Sequence, residues 1–154
     1  MNLAKAKVLV TGGSRGIGYE TARELKVRGA QVAICGRDAA QLEKAAGELQ
    51  CVAIQADVGV AADVQRMVDE VAEAFGGFNT LINNAAYGYF AKLVDVELER
   101  FEALLRTNLT GAMLVGQACV RHFLERKIRG HIVNVGSTAA RRGFPRGTPY
   151  AATK

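Results

Sequence analysis

The chain has 154 residues, a formal net charge of +5, 49% hydrophobic residues and 23% charged residues, which is typical of one globular domain. This apolar content excludes a disordered chain, because burial can offset the entropy cost of ordering. No stretch approaches the ~18 uninterrupted apolar residues of a membrane-spanning helix, so we expect no membrane partner. Three widely spaced cysteines without CxxC or zinc spacing predict free thiols, a reducing cytoplasmic location and no metal site.

Strand-like apolar runs alternate with helix-like segments along the whole chain. We predict strands at residues 7–11, 31–35, 52–55, 80–83 and 131–135. We predict helices at residues 17–28, 38–49 and 62–75. A longer helical region begins at a capping Asp95, is interrupted near Gly111 and continues to about residue 127. Because the strands are apolar and the connections short, this order predicts an α/β fold with a doubly wound parallel sheet of about five strands.

The last residues are typical of the start of a further helix. Thr148 is a suitable N-cap and Pro149 a suitable first helical residue. The sequence ends about one turn later, so we expect residues 1–154 to be the front part of a longer domain. A helix this short is marginal by itself, and the fifth strand would present an apolar edge. We therefore expect a marginally stable chain.

A glycine-rich turn, TGGSRGIG at residues 11–18, lies between the first predicted strand and the first helix. Glycine permits positive φ and lets the backbone approach a pyrophosphate, which the free N–H groups of the helix start can bind. The context of strand, turn and helix therefore predicts a dinucleotide site, with an ordinary tight turn as the alternative. A P-loop is excluded because Tyr19 and Glu20 stand where Lys and Ser or Thr are needed.

The residues after the second strand indicate which dinucleotide binds. An acid there would bind a ribose 2′-hydroxyl, but this chain has Cys35, Gly36 and Arg37. Asp38 follows, and its spacing to Gln41 indicates a capping box. Arg37 and the nearby arginine of the glycine-rich turn suit a 2′-phosphate. We therefore predict NADP(H) rather than NAD(H), unless both arginines only face water.

These motifs, in this order and over the whole chain, resemble the classical short-chain dehydrogenases/reductases. The further matching segments are Asp57-Val58, Asn83-Asn84-Ala85-Ala86, Asn108, Ser137 and Tyr150-Ala-Ala-Thr-Lys154. The resemblance implies an incomplete Rossmann-type sheet, with residues 1–154 forming an NAD(P)-binding domain truncated at the catalytic helix. It also implies hydride transfer between nicotinamide and a small-molecule carbonyl or alcohol, and assembly as a homo-oligomer.

The resemblance assigns roles residue by residue. The implied catalytic residues are Asn108, Ser137, Tyr150 and Lys154. The implied cofactor-binding residues are Gly12, Ser14, Arg15, Gly16, Ile17, Gly18, Arg37, Asp57, Val58, Asn84, Ala85, Ala86, Tyr150 and Lys154.

The tyrosine and lysine stand four residues apart, so on a helix they share one face. A nearby ammonium favours a phenolate, which makes the tyrosine the general acid or base. Ser137 would donate a hydrogen bond to the substrate oxygen, and Asn108 would support a water-linked proton path to the lysine. Ala86 departs from the family's usual glycine, so we expect a small shift in cofactor fit.

Other interpretations stay open at this point. The chain could be a non-enzymatic nucleotide-binding or subunit-interaction fragment, and we expect little activity from it alone. Arg141, Arg142 and Arg146 could attract an acyl carrier protein, which would make the substrate a 3-oxoacyl group; a solvated loop is the alternative. A nucleic-acid partner is not expected because no binding motif or aromatic platform is present. We expect His122 on a solvated helix face.

Overall fold

The computed structural model describes residues 2–154 and contains one five-stranded parallel sheet in the order β3-β2-β1-β4-β5. The strands are β1 Lys7–Thr11, β2 Gln31–Gly36, β3 Val52–Gln55, β4 Thr80–Asn83 and β5 His131–Asn134. The helices are α1 Gly16–Val27, α2 Ala39–Leu49, α3 Ala61–Phe75, α4 Leu98–Leu105, α5 Ala112–Glu125 and α6 Thr148–Thr153. The predicted α/β doubly wound parallel sheet is confirmed, and every predicted strand begins where expected.

The two faces of the sheet bury separate cores because successive side chains of a strand point to opposite faces. Leu9 of β1 packs with α3 and α5, where Met67 and Val115 are fully buried. Its neighbours Val8 and Val10 pack on the other face with α1 and α2. Every β1 side chain from Val8 onward is buried, which explains the nearly continuous apolar run in the sequence.

Local signals set most helix ends. Gly29, at φ +85°, follows α1, and Gly76, at φ +63°, ends α3 in the left-handed conformation that favours glycine. Asp38 caps α2 by accepting the N–H of Gln41 at 3.0 Å. Only half of the expected capping box forms, because the Gln41 side chain instead accepts the Ser14 hydroxyl at 3.3 Å.

Two predicted caps are wrong. Asp95 lies in a short 3₁₀ turn, and α4 starts only at Leu98. The reason is tertiary, since the hydroxyl of Tyr89 accepts the N–H of Glu97, the residue that takes the N-cap place. At the last helix, Thr148 is the first helical residue and Gly147 precedes it as the cap.

The predicted interruption near Gly111 is a π-helical segment, Arg106–Gly111, that joins α4 to α5 without a turn. Gly111 packs closely against Val58, and a Cβ there would lie 2.8 Å from the valine methyl. The wider π turn also carries Asn108, which is buried. Such segments are frequent at functional sites.

His122 corrects a third expectation, since it lies inside the protein rather than on a solvated face. Its side chain is 6% exposed and stacks on Phe78 with ring centroids 4.4 Å apart. The N–H of Phe78 donates to His122 Nε2 at 3.3 Å. Burial lowers the pKa of His122, and the nearby Arg126 adds to the effect.

The three cysteines are free thiols. Burial raises the pKa of Cys35 to about 11 and that of Cys119 to about 12, so both are held as neutral thiols. Cys51 is only half-buried. Across residues 2–154 we find no helix long and apolar enough to cross a membrane and no cluster of three metal-ligating side chains.

Candidate active site

A cleft of about 690 Å³ opens at the carboxyl ends of the strands, where ligands bind in doubly wound sheets. β1 lies at the point where the strand order changes direction, with β2 on one side and β4 on the other. The cleft is lined by the glycine-rich turn, by the residues that follow β2, β3, β4 and β5, and by α6. All fourteen residues expected to bind the cofactor line it: Gly12, Ser14, Arg15, Gly16, Ile17, Gly18, Arg37, Asp57, Val58, Asn84, Ala85, Ala86, Tyr150 and Lys154.

The glycine-rich turn requires its glycines for two different reasons. Gly12 and Gly16 have φ of +64° and +57°, which side chains rarely adopt. A Cβ at Gly18 would overlap the carbonyl oxygen of Gly12 and lie 2.5 Å from the amide of Asn84. A Cβ at Gly16 would meet no atom within 4 Å, so the turn presents its backbone to open space at the start of α1. This cradle fits a pyrophosphate.

Arg37 and Asp57 form the end of the cleft beside β2 and β3. Arg37 Nη1 lies 3.9 Å from Asp57 Oδ2, and the guanidinium lies 6.0 Å from the Tyr87 ring centroid. Both charged groups remain accessible, so their ion pair is weak. The guanidinium therefore both faces solvent and lines the cleft, where it can reach an anion.

Asp57 is held by its own loop. Its Oδ1 accepts the N–H of Gly59, and its N–H donates to Asp63 at 2.9 Å. That backbone N–H, followed by the side chain of Arg66, lowers the pKa of Asp63. The bonds fix the orientation of Asp57 and Val58 at the end of β3.

Asn84 joins the β4 end of the cleft to the glycine-rich turn. Its amide nitrogen donates to the carbonyl oxygens of Thr11 and Gly12 at 2.9 and 3.2 Å. The hydroxyl of Thr11 accepts the N–H groups of Asn84 and Ala85. Asn84 therefore fixes the shape of the turn, and the neighbouring Ala86 is exposed along the cleft.

Tyr150 and Lys154 reach the cleft from α6, as the spacing of four predicts. The Lys154 ammonium donates to the carbonyl oxygen of Val135 at 2.9 Å, just after β5. The Tyr150 ring meets the ring of Phe90 edge-on, with centroids 5.5 Å apart. The short helix α6 thus contacts the rest of the protein through both Tyr150 and Lys154.

Asn108 connects the loop after β4 to α6. Its Oδ1 accepts the N–H of Tyr87 at 3.0 Å, and its Nδ2 donates to the carbonyl of Tyr87 at 2.9 Å. The same Nδ2 donates to the hydroxyl of Thr153 at 3.0 Å. These contacts place Asn108 beside α6, but they go to Tyr87 and Thr153 rather than to Lys154.

Ser137 lies one residue beyond the cleft lining, which at this strand consists of Val135 and Gly136. Its hydroxyl oxygen accepts the N–H of Ala139 at 3.1 Å and caps a short 3₁₀ turn. An accepting hydroxyl still carries a hydrogen that can donate.

The three arginines of the loop after β5 lie outside the cleft. Arg141, Arg142 and Arg146 are solvent-exposed, and none of them lines the cleft.

Several cleft residues were not expected from the sequence. Tyr87, Gly88 and Phe90 follow β4 and line the cleft. Their position after a strand that carries a motif was the available signal, since loops at this edge surround the ligand. On the other side, Gln41 lines the cleft and accepts the hydroxyl of Ser14.

A profile of the short chain dehydrogenase family matches residues 6–154. The chain belongs to this family. An uncharacterized oxidoreductase, YxnA, from Bacillus subtilis is 34% identical over 152 residues, which are 96% of this chain and 43% of that protein. The 3-oxoacyl-[acyl-carrier-protein] reductase of Bos taurus is 37% identical, over 94% of this chain and 62% of that protein. The chain thus spans about half the length of these curated family members.

The fold agrees with that of solved family members. A short chain dehydrogenase from Burkholderia cenocepacia, crystallised in complex with NADP, superposes with a TM-score of 0.90 at 37% identity. The match covers 100% of this chain and 64% of that one. The incomplete Rossmann-type sheet expected from the motifs is therefore confirmed.

Proposed function

We propose that this chain is the NADP(H)-binding and catalytic part of an oxidoreductase that interconverts a carbonyl and an alcohol. The observation that carries the proposal is the cleft, which has Arg37 toward one edge of the sheet, the glycine cradle at the central strand β1, and Tyr150 with Lys154 toward the other edge. A dinucleotide is an elongated ligand with phosphates in its middle. The cleft matches that order of chemical groups along its length.

Different residues of the cleft would bind different parts of the cofactor. The backbone of residues 12–18 would hold the pyrophosphate, and Asp57 with Val58 would contact the adenine. Arg15 and Arg37 would bind the 2′-phosphate through charge-assisted hydrogen bonds. The nicotinamide of the bound cofactor supplies or accepts the hydride.

Tyr150 would act as the general acid in carbonyl reduction and as the general base in alcohol oxidation. Lys154 spends one of its three donors on the carbonyl of Val135, which leaves two for the cofactor ribose and the electrostatic support of the phenol. Ser137 would donate its free hydrogen to the substrate oxygen as charge develops there. Asn108 would act as a positioning residue, because its bonds fix the loop at Tyr87 and the helix at Thr153.

Cofactor choice is tested by titrating the purified chain with NADPH and NADH and following nicotinamide fluorescence. We expect tighter binding of NADPH. Arg37→Ala should weaken NADPH binding by about 10-fold or more, the value of a hydrogen bond between charged groups, and leave NADH binding unchanged. Arg23→Ala, which removes an exposed arginine paired with Glu20 on α1, is the matched control. Equal losses for both cofactors would contradict the assignment of the 2′-phosphate to Arg37.

Catalysis is tested by single-turnover oxidation of NADPH with protein in excess and a small ketone added as the hydride acceptor, because such conditions detect slow reactions. Tyr150→Phe should lower the rate by about 10²- to 10⁴-fold, the usual contribution of a general acid, and should lower NADPH affinity by a much smaller factor. Tyr19→Phe, which changes a tyrosine bonded to Glu48 outside the cleft, should have no effect.

A wild-type chain that binds NADPH and never transfers its hydride to the ketone would favour the alternative of a nucleotide-binding fragment. An acyl carrier protein as partner of the exposed arginines stays a prediction. Reversal of the three charges should slow the reduction of a carrier-bound substrate but not that of a small ketone.

A further inference from the structure

Three aromatic rings meet where the cleft ends at α6. The Phe90 ring lies 5.5 Å from that of Tyr150 and 5.9 Å from that of Phe144, with interplanar angles of 62° and 53°. We call Phe90 and Phe144 the aromatic wall. Their side chains stay 49% and 43% exposed, although large apolar groups are usually buried. Phe90 lines the cleft itself, and Phe144 supports it from the side.

Two glycines make room for the aromatic wall. A Cβ at Gly88 would lie 2.7 Å from the ring of Phe90, and a Cβ at Gly147 would lie 2.5 Å from the ring of Phe144. Any other residue at these two positions would push the rings away. The two glycines therefore leave room for Phe90 beside Tyr150 and for Phe144 beside Phe90.

The segments that carry the two rings are joined to each other and to α6. The N–H of Ala91 donates to the carbonyl of Arg146 at 3.0 Å. Asn108 holds the backbone of Tyr87 and the hydroxyl of Thr153 at the same time. The aromatic wall thus keeps a defined position relative to the proposed general acid, as a specificity surface needs.

Most charges of the cleft lie away from α6. Arg37, Asp38 and Asp57 follow β2 and β3, on the far side of the sheet from β5, and Arg15 lies in the glycine-rich turn after the central β1. Among the described residues that line the cleft, Lys154 is the charged one near Tyr150. Its ammonium donates a hydrogen bond to the carbonyl oxygen of Val135. A substrate with many hydroxyl groups would meet apolar ring faces here and lose hydrogen bonds to water.

We infer that the substrate is a carbonyl compound, or the matching alcohol, with an aromatic ring next to the reacting carbon. This inference rests on the proposed function and names the substrate class of the same site. The ring would pack against Phe90 while the oxygen reaches Tyr150. Aromatic pairs favour edge-to-face or offset contacts at centroid distances of about 4.5–7 Å, as the rings of the wall already show.

The test measures dissociation constants by NMR titration for three ketones, each with and without NADPH. Acetophenone carries the aromatic ring, cyclohexyl methyl ketone has a similar size without it, and 1,3-dihydroxyacetone is polar. We expect acetophenone to bind about 2- to 10-fold more tightly than cyclohexyl methyl ketone, and dihydroxyacetone to bind most weakly. Phe90→Leu should remove the preference for acetophenone while keeping the affinity for the cyclohexyl ketone.

Phe144→Ala, which changes a residue outside the cleft lining, should weaken the binding of acetophenone by a smaller factor than Phe90→Ala does. Leu93→Ala, at another exposed apolar residue, is the control and should change nothing. Thermal unfolding followed by circular dichroism verifies that each variant folds. Dihydroxyacetone binding as tightly as acetophenone, or ratios unchanged in the Phe90 variants, would overturn the inference. Failure of NADPH to bind would instead contradict the proposed function, and the titrations without NADPH would still decide on the aromatic wall.

Discussion

At the scale of single residues, the glycine-rich turn and Asn84 depend on each other. The amide of Asn84 occupies the space beside Gly18 and donates to the backbone of Thr11 and Gly12. A side chain at Gly18 would therefore displace both the turn and the loop after β4. The shape of the glycine-rich turn therefore depends on the absence of a Cβ at Gly18 and on the amide of Asn84, which lies 66 residues away in a separate motif.

Gly18→Ala tests this dependence. We expect NADPH binding to be lost and the protein to be destabilised, because the new Cβ meets backbone that cannot move freely. Gly47→Ala is the matched control in α2, where a Cβ meets nothing within 4 Å. It should leave NADPH binding unchanged and raise the free energy of unfolding by about 0.5–1 kcal/mol. Fluorescence titration and denaturant unfolding measure both effects, and equal NADPH affinity in the two variants would refute the close-packing argument.

At the scale of elements, the α4–α5 region connects the cleft to the core. Its π-helical segment holds Asn108 near the cleft, and its far end holds His122 against Phe78, just before β4. His122 accepts a backbone N–H through Nε2, so the neutral imidazole carries its proton on Nδ1. Protonation of Nε2 would break this contact inside the core.

We expect the stability of the protein to fall as the pH drops below about 6.5, the unperturbed pKa of histidine. Burial lowers the pKa of His122 in the folded state, so the unfolded state takes up the proton first. Each pH unit down to the folded pKa then costs up to about 1.4 kcal/mol of unfolding free energy. Above the unfolded pKa both states are neutral and the stability is fully present.

The measurement compares urea unfolding of the wild type and His122→Gln between pH 8 and pH 5. Glutamine can accept the Phe78 N–H but does not titrate, so its unfolding free energy should depend less on pH. The difference between the two proteins at pH 8 reports packing alone. Parallel pH profiles would show that His122 does not carry the effect.

At the scale of the whole molecule, one face of the α4–α5 region exposes apolar side chains. Leu109, Met113, Val120 and Leu124 recur at spacings of four, seven and four, which places them on one side of the helical region. Gly116 lies between them and faces open space, so another backbone can approach. We propose this face as the contact of the homo-oligomer that the family resemblance implies.

Met113→Glu should weaken self-association by about 10-fold or more, because a buried unpaired charge is costly at an interface. Met113 is 67% exposed in the single chain, so the variant should fold normally. Val27→Glu, at a residue 73% exposed on α1, is the control. Sedimentation velocity over a concentration series measures both. A wild-type chain that stays monomeric, or a Met113→Glu variant that associates equally well, would exclude this face.

The sequence by itself determined the features that rest on local order. Strand runs, terminal glycines and the turn at residues 11–18 are signals within a few residues, so the five strands and the doubly wound sheet could be predicted. The spacing of Tyr150 and Lys154 likewise follows from helix geometry. The cofactor-binding residues that the family resemblance implies all line the cleft. Most of their motifs follow a strand, and parallel strands bring their carboxyl ends to one edge of the sheet.

Only the tertiary structure decided the rest, because the partners lie outside the local sequence pattern. Asp95 looks like a cap in sequence, but the hydroxyl of Tyr89 takes that role at Glu97. His122 reads as solvated and is buried against Phe78. The aromatic wall arises when segments after β4 and β5 meet through one backbone hydrogen bond. The local sequence indicates which interactions a residue can make, and the packing of other segments determines which of these interactions form.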